Sequence, residues 1–199
     1  MARRLWIALA VLLTVCLLMA STHAEVPAPP PEFYFLDEAG VFSESTEGEI
    51  FFSNVLLYRS CGAQIVVVAL KNLDGTPIDQ YAMTLFNRWG IGSAKKNNGL
   101  LLLMDIGGED YWAMPGMGVE EIFTPEVLSD ILNRYLESDF AQGRYDAGVK
   151  ACFEALFARM AESQGSTVNV QRGIDIYNRI CALFHPGDFQ RTDDAATGG

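Results

Sequence analysis

The sequence predicts an α/β domain: a three-layer α/β/α sandwich around a mixed, mostly parallel sheet of about four strands, followed by an extra C-terminal helix. Three observations predict it. Two uninterrupted apolar runs, QIVVVAL at 64–70 and LLLLM at 100–104, are bounded by turn residues, as strands buried on both faces are. Stretches with apolar residues at helical spacing alternate with them, which supplies helices for both faces of the sheet. The pair Gly107-Gly108 then turns the chain back on itself, adding an antiparallel strand to a parallel sheet.

Taken in order, residues 33–36 (FYFL) form a short aromatic strand, and Gly40 turns the chain at positive φ. Ser43 caps a helix whose early acids, Glu44, Glu47 and Glu49, suit the positive end of its dipole. Phe51, Phe52, Val55, Leu56 and Tyr58 recur along it, and Gly62 ends it. The strand at 64–70 leads through a loop at 72–77 to a helix at 78–89, with Tyr81, Ala82, Leu85 and Phe86 on its apolar side and Trp89 as a core plug. The strand at 100–106 and its partner at 110–114 form the hairpin. Thr124-Pro125-Glu126 is a cap, a first-turn proline and an acid, and it opens a helix running to about residue 137. Gly143 separates that helix from one at 145–163. A further amphipathic helix spans 170–184, within a C-terminal segment of 164–184.

Outside the domain at 33–163 the composition changes. Residues 1–24 combine Arg3 and Arg4, an apolar stretch and a small-residue site at Thr22-His23-Ala24, the pattern of a secretory signal peptide cleaved after Ala24. The alternative is an uncleaved N-terminal anchor, but the apolar run of about 16 residues is short of the roughly 20 that a span needs. Residues 25–32 are a proline-rich extended linker, and 185–199 have the small, polar composition of a disordered tail. The 199-residue chain carries a net charge of −11, and losing Arg3 and Arg4 makes it two charges more acidic. That balance disfavours nucleic acid and anionic membrane surfaces and favours cations or basic partners. Membrane contact is expected only through an uncleaved leader or a partner. Cys61, Cys152 and Cys181 remain after the leader, so at most one disulfide forms within the chain. They have no C-x-x-C spacing and no clustered histidine, which argues against zinc.

Several blocks resemble the TPM domain, a family named from a thylakoid-lumen protein, a photosystem II repair protein and a modulator of acetylcholine receptors. They are DEAGVFS at 37–43, GAQIVVVAL at 62–70, YAMTLFNRWGIG at 81–92, NNGLLLLM at 97–104, GMGVE at 116–120 and QGRYDAGV at 142–149. The resemblance covers about residues 33 to 161. It implies the same sandwich, divalent-cation binding as in some members, and the weak acid phosphatase activity attributed to a plant member. Many bacterial relatives add a membrane helix and a glycine-rich tail; this chain has the 170–184 helix and a short polar tail instead. It also carries Ala-Met-Pro-Gly-Met-Gly at 113–118, where relatives have a charged residue and a Gly-Tyr-Gly-like turn.

The sharpest chemical constellation is acidic. Ligands of open α/β sheets bind beyond the carboxyl ends of strands, and Asp37 and Asp105 stand at two such ends, with Glu120 and Glu121 after the glycine turn. Asp37, Asp105 and Glu120 are the expected metal ligands, for a hard divalent cation such as Ca²⁺. Gly116, Gly118 and Lys95 are the expected ligand loop, with Lys96 and Arg88 completing a small basic cluster. Nucleophilic catalysis has little support: His23 lies in the leader, His185 near the tail, and no G-x-S-x-G elbow occurs. Two functions fit. The favoured one is an exported, cation-binding interaction or regulatory module acting on a protein partner at the cell envelope. The other is a metal-dependent phosphomonoesterase in which Asp37 and Asp105 hold the metal and Lys95 or Arg88 steers the substrate.

Overall fold

The computed structural model describes residues 26–31 and 33–184. The leader with its cleavage site, the tail and both histidines lie outside the described residues. The domain is a four-stranded sheet, β1 (Phe35–Asp37), β2 (Gln64–Leu70), β3 (Gly99–Asp105) and β4 (Asp110–Pro115), in that spatial order. β1, β2 and β3 are parallel and β4 is antiparallel to β3. Helices α1 (Glu44–Cys61), α2 (Ile78–Trp89), α3 (Pro125–Tyr135), α4 (Glu137–Phe140), α5 (Tyr145–Ser163) and α6 (Val170–Phe184) complete the described chain. This is the expected sandwich with a mostly parallel mixed sheet.

Every residue of β2 and β3 is buried, because both faces are covered. Side chains alternate between faces along a strand, and the two faces have separate cores. Ile65, Val67, Ala69, Leu100, Leu102 and Met104 pack with Ile50 and Leu57 of α1 and with Phe153 and Phe157 of α5. Val66, Val68, Leu70, Leu101 and Leu103 pack on the other side with Tyr81, Ala82 and Leu85 of α2. The steps from β1 to β2 and from β2 to β3 run in the same direction, yet α1 and α2 lie on opposite faces. One of the two crossovers is therefore left-handed, against the strong preference for right-handed connections.

The predicted start and stop signals act as read. The Ser43 hydroxyl accepts the Thr46 N–H at 3.2 Å, and Gly62 ends α1 at φ +79°. Thr124 caps α3 ahead of Pro125. Strand β1 lies two residues beyond the start expected for it, since Tyr34 gives only its carbonyl, to the Val67 N–H. The hairpin loop departs more. Its positive φ belongs to Glu109, at +51°. The glycines serve close approach instead: a Cβ on Gly107 would lie 2.4 Å from the Lys71 carbonyl oxygen, and one on Gly108 2.3 Å from Asp105 Oδ2.

The proline-rich segment docks on the domain and ends in a turn, where the Phe33 N–H donates to the Pro30 carbonyl at 3.0 Å. Val26 is buried in the α2-side core, Arg88 donates to the Val26 carbonyl at 2.6 Å, and the Trp89 indole N–H donates to the Pro27 carbonyl at 2.9 Å. One helix is too narrow to cover the α2 face, and this segment covers part of the remainder. Across α1, the outer helix α6 packs closely. A Cβ at Gly48 would sit 2.2 Å from the Tyr177 ring, and one at Gly173 2.3 Å from Ser53 Oγ. Beside this contact Glu49 is 2% exposed, with Lys150 Nζ 2.9 Å from its Oε2. Burial pushes the Glu49 carboxyl upward more than Lys150 draws it down, and Glu154 adds to the rise. Lys150 is itself raised by Glu49.

Candidate functional site

The predicted acidic residues do not converge. Asp37 ends β1 on the same face as Phe35, which packs on the α1 side, whereas Asp105 follows Leu103 on the α2 side. The carboxylates thus leave the sheet in opposite directions. Glu120 is further away. β4 runs antiparallel, so the turn after it returns to the start of β3. β3 has seven residues, and its ends are about 20 Å apart at the rise of an extended strand. Asp37, Asp105 and Glu120 therefore cannot share one ion.

Two of these carboxylates are occupied by their own loops. Asp37 accepts the Gly40 N–H on Oδ1 at 2.8 Å and the Phe42 N–H on Oδ2 at 2.7 Å. Asp105 is 8% exposed and accepts the Gly108 N–H at 3.0 Å. Both are turn clasps, in which an acidic side chain stands in for a backbone acceptor. The fit to a divalent cation fails for the set on geometry.

The ligand loop is brought together, but as a joint between two loops. Gly118 donates to the Asn97 carbonyl at 3.0 Å, and a Cβ there would lie 1.8 Å from the Lys96 carbonyl oxygen. Gly116 meets the Asn97 carbonyl in the same way, at 2.4 Å. Lys96 reaches the other direction, and its Nζ donates to the Cys61 carbonyl at 2.8 Å. That places a cation on the C-terminal end of α1, where the helix dipole is negative. Lys95 is exposed in this loop, and Arg88 is committed to Val26. The Ser43 hydroxyl is committed to its cap. Cys152 is buried, its thiol pushed up to about 12 by desolvation, and Cys61, Cys152 and Cys181 are all free thiols.

The open feature lies along β4. A groove of about 1000 Å³ runs round this edge of the sheet, between α2 and α3. Met83 and Phe86 form one wall, Leu128 and Leu132 the other, and Trp112 and Met114 stand on the strand between them. Phe123, buried, lies behind. Met83, Trp112 and Met117 are 57%, 42% and 74% exposed. The walls are tied to the rest of the domain by polar and ring contacts. Arg159 donates to the Ile122 carbonyl at 2.8 Å, and the Tyr111 hydroxyl bonds the Glu137 carboxylate while its ring packs edge-on against Phe140. Burial first, then Glu137, raise the Tyr111 phenol above its ordinary value. Of the predicted site residues, Gly116 and Glu120 line this groove.

Reading the sequence for titratable groups missed it. The available signal was YWAMPGM at 111–117, an edge strand and turn with apolar residues on both faces and no continuing cover in the sequence. Among the described residues, no helix is long and apolar enough to cross a membrane.

The model of the TPM domain matches residues 35–159. No curated protein matches the chain. Among solved structures, it is similar to the solution NMR structure of the N-terminal domain of a protein from P. gingivalis, at 24% identity and a TM-score of 0.62, over 73% of this chain and 98% of that one. It is also similar to the N-terminal domain of a Corynebacterium glutamicum protein, at 20% identity and 0.49, over 74% and 93% of the two chains. The BA42 protein of the psychrophilic Bizionia argentinensis is similar at 15% identity and 0.49, over 63% and 90%. The likeness to the P. gingivalis domain is one of fold.

Proposed function

Because this chain belongs to the TPM domain family, we propose that it works as an exported protein-interaction module at the cell envelope, with the β4 groove as its docking surface. The observation that carries this reading is the exposure of Met83, Trp112 and Met117 along one concave, apolar edge. Scattered exposed apolar residues need no explanation, but a contiguous apolar groove marks a binding surface. Methionines adapt to varied partners, and a tryptophan anchors them. The export part of the reading rests on the leader pattern at 1–24.

The divalent cation expected from the resemblance enters this proposal as a separate question, posed at Asp37 and Asp105 individually. The phosphomonoesterase reading gains no geometric support, since its two presumed metal ligands face opposite ways and each clasps its own turn.

Site-specific crosslinking tests the proposal. A photoreactive residue at Met117, introduced into the full chain in native cells, should capture a recurrent protein. The same residue at Leu183, which is 77% exposed on α6, should not. Equal capture from both positions, or none from either, removes the groove as a docking surface.

A further inference from the structure

We propose that the β4 groove takes an amphipathic helix with a basic polar face, an inference that rests on the interaction reading above. The main chain of β4 argues for a helix over an added strand. Gly116 donates to the Gly99 carbonyl at 2.8 Å, and the register pairs Leu101 with Met114, Leu103 with Trp112 and Asp105 with Asp110. Hydrogen-bonded pairs alternate in an antiparallel ladder. These four are therefore the bonded pairs, and the backbone groups of Tyr111, Ala113 and Pro115 point outward. An incoming strand would need their N–H groups. The Tyr111 N–H is already held by Asp110 Oδ1 at 2.8 Å, and Pro115 has none. Only the Ala113 N–H is left on this strand. The edge is closed to strand addition by the devices proteins use to block it.

A helix makes no such demand, because its backbone bonds are satisfied internally and it binds through side chains. The groove has what such a ligand uses: apolar walls from α2 and α3, flexible Met83 and Met117, and Trp112 as an anchor. Charge selects the sign of the other face. Glu120 lines the groove, and Glu109, Asp110, Glu121 and Glu126 are exposed on the adjoining loops and helix start. Of the cations around it, Arg134 is paired with Asp130 at 2.9 Å, while Lys96 and Arg88 are bonded to carbonyls. Lys95 is exposed as well, and Lys96 and Arg88 are exposed and keep their charges, so three cations oppose the five carboxylates. The field at the rim is negative, so it draws in a helix carrying Lys or Arg on its polar side and repels an acidic one.

The test uses the mature full chain and three synthetic peptides, with Trp112 fluorescence and calorimetry as readouts. The first peptide is a Leu/Lys amphipathic helix. The second has the same composition interrupted by prolines, and the third is a Leu/Glu counterpart of the first. Trp89 is buried, so a spectral shift on saturation reports Trp112. The Leu/Lys helix should bind saturably, with an affinity at least about tenfold above both other peptides, a difference of 1.4 kcal/mol. Met83→Lys should weaken it by a similar factor, and Leu183→Lys should leave it unchanged. Equal binding of the proline-interrupted peptide overturns the helix, and equal binding of the Leu/Glu peptide overturns the charge. An unaffected Met83→Lys variant overturns the location. If no peptide saturates the groove while Met117 still crosslinks a protein in cells, the helix is wrong and the interaction reading stands. If both experiments are negative, both fall.

Discussion

The carboxyl end of the sheet and its β4 edge treat their side chains in opposite ways. At the carboxyl end, Asp37 and Asp105 are chemically conspicuous in the sequence, yet each carboxylate turns back onto N–H groups of its own loop. At the β4 edge the residues are chemically plain, yet Met83, Trp112 and Met117 are left open to solvent. A charged side chain near a turn finds its least costly partner locally, because backbone N–H groups there lack acceptors. An apolar side chain has no such local partner, and what covers it depends on the rest of the chain or on another molecule. Titratable residues here build the fold, and the groove left open to solvent is apolar.

That contrast can be broken by substitution, beginning with the joint between the loops that shapes one end of the groove. Gly118→Ala places a methyl 1.8 Å from the Lys96 carbonyl oxygen. It should cost about 3 kcal/mol in denaturant unfolding, as overpacking against backbone does. An unchanged midpoint would mean that the loops separate freely. Next in size is Asp37→Ala, which strips the acceptor from the Gly40 and Phe42 N–H groups. Loss of these charge-assisted bonds should cost about 2 kcal/mol by the same measurement and leave groove binding intact. Any ion at Asp37 would have to displace those two amides. Adding millimolar Ca²⁺ to the chelator-treated protein should therefore leave its melting temperature unchanged; a rise abolished by Asp37→Ala would restore Asp37 as a ligand.

A smaller effect of unexpected sign belongs to Glu49. Its folded-state carboxyl is raised above the ordinary value of 4.5, mainly by burial. The folded state therefore favours the protonated form, and ionisation costs stability as pH rises from there through the raised value. Glu49→Gln should stabilise the protein at pH 7 by about 1 kcal/mol, and the gain should vanish in acid below the unfolded value. Lys150, left alone, is exposed enough to be solvated. Destabilisation at pH 7 would show that the ion pair outweighs the burial. Smallest in stability is Met83→Lys, at 57% exposure. Its unfolding free energy should stay within about 0.5 kcal/mol, while binding of the Leu/Lys helix weakens about tenfold.

Most of the architecture was legible because it follows from local patterns. QIVVVAL and LLLLM read as doubly buried strands and are so. Ser43, Gly62 and Thr124-Pro125 marked helix ends through hydrogen bonds that span a few residues. The site was not legible to the same degree. Asp37 and Asp105 stood at strand ends as expected, but strand alternation and register set their faces, and they face apart. Glu120 was expected beside them, and the reversed direction of β4 carried it to the other end of the sheet. The proline segment read as a linker because composition reports conformation and not docking. Its anchors, Arg88 and Trp89, lie 62 residues away in sequence.

By itself, then, the sequence determined most of the elements, the capped helix ends, the burial of the central strands and the family resemblance. All of these rest on periodicity and on bonds between near neighbours. Tertiary structure alone decided which helix covers which face, including the left-handed crossover, and which carboxylates meet. It also decided that α2 and α3 flank a sealed but apolar strand edge. Those outcomes depend on how distant elements are placed in space, and hydrophobic burial, which drives that placement, is non-directional and writes no positional code into the chain.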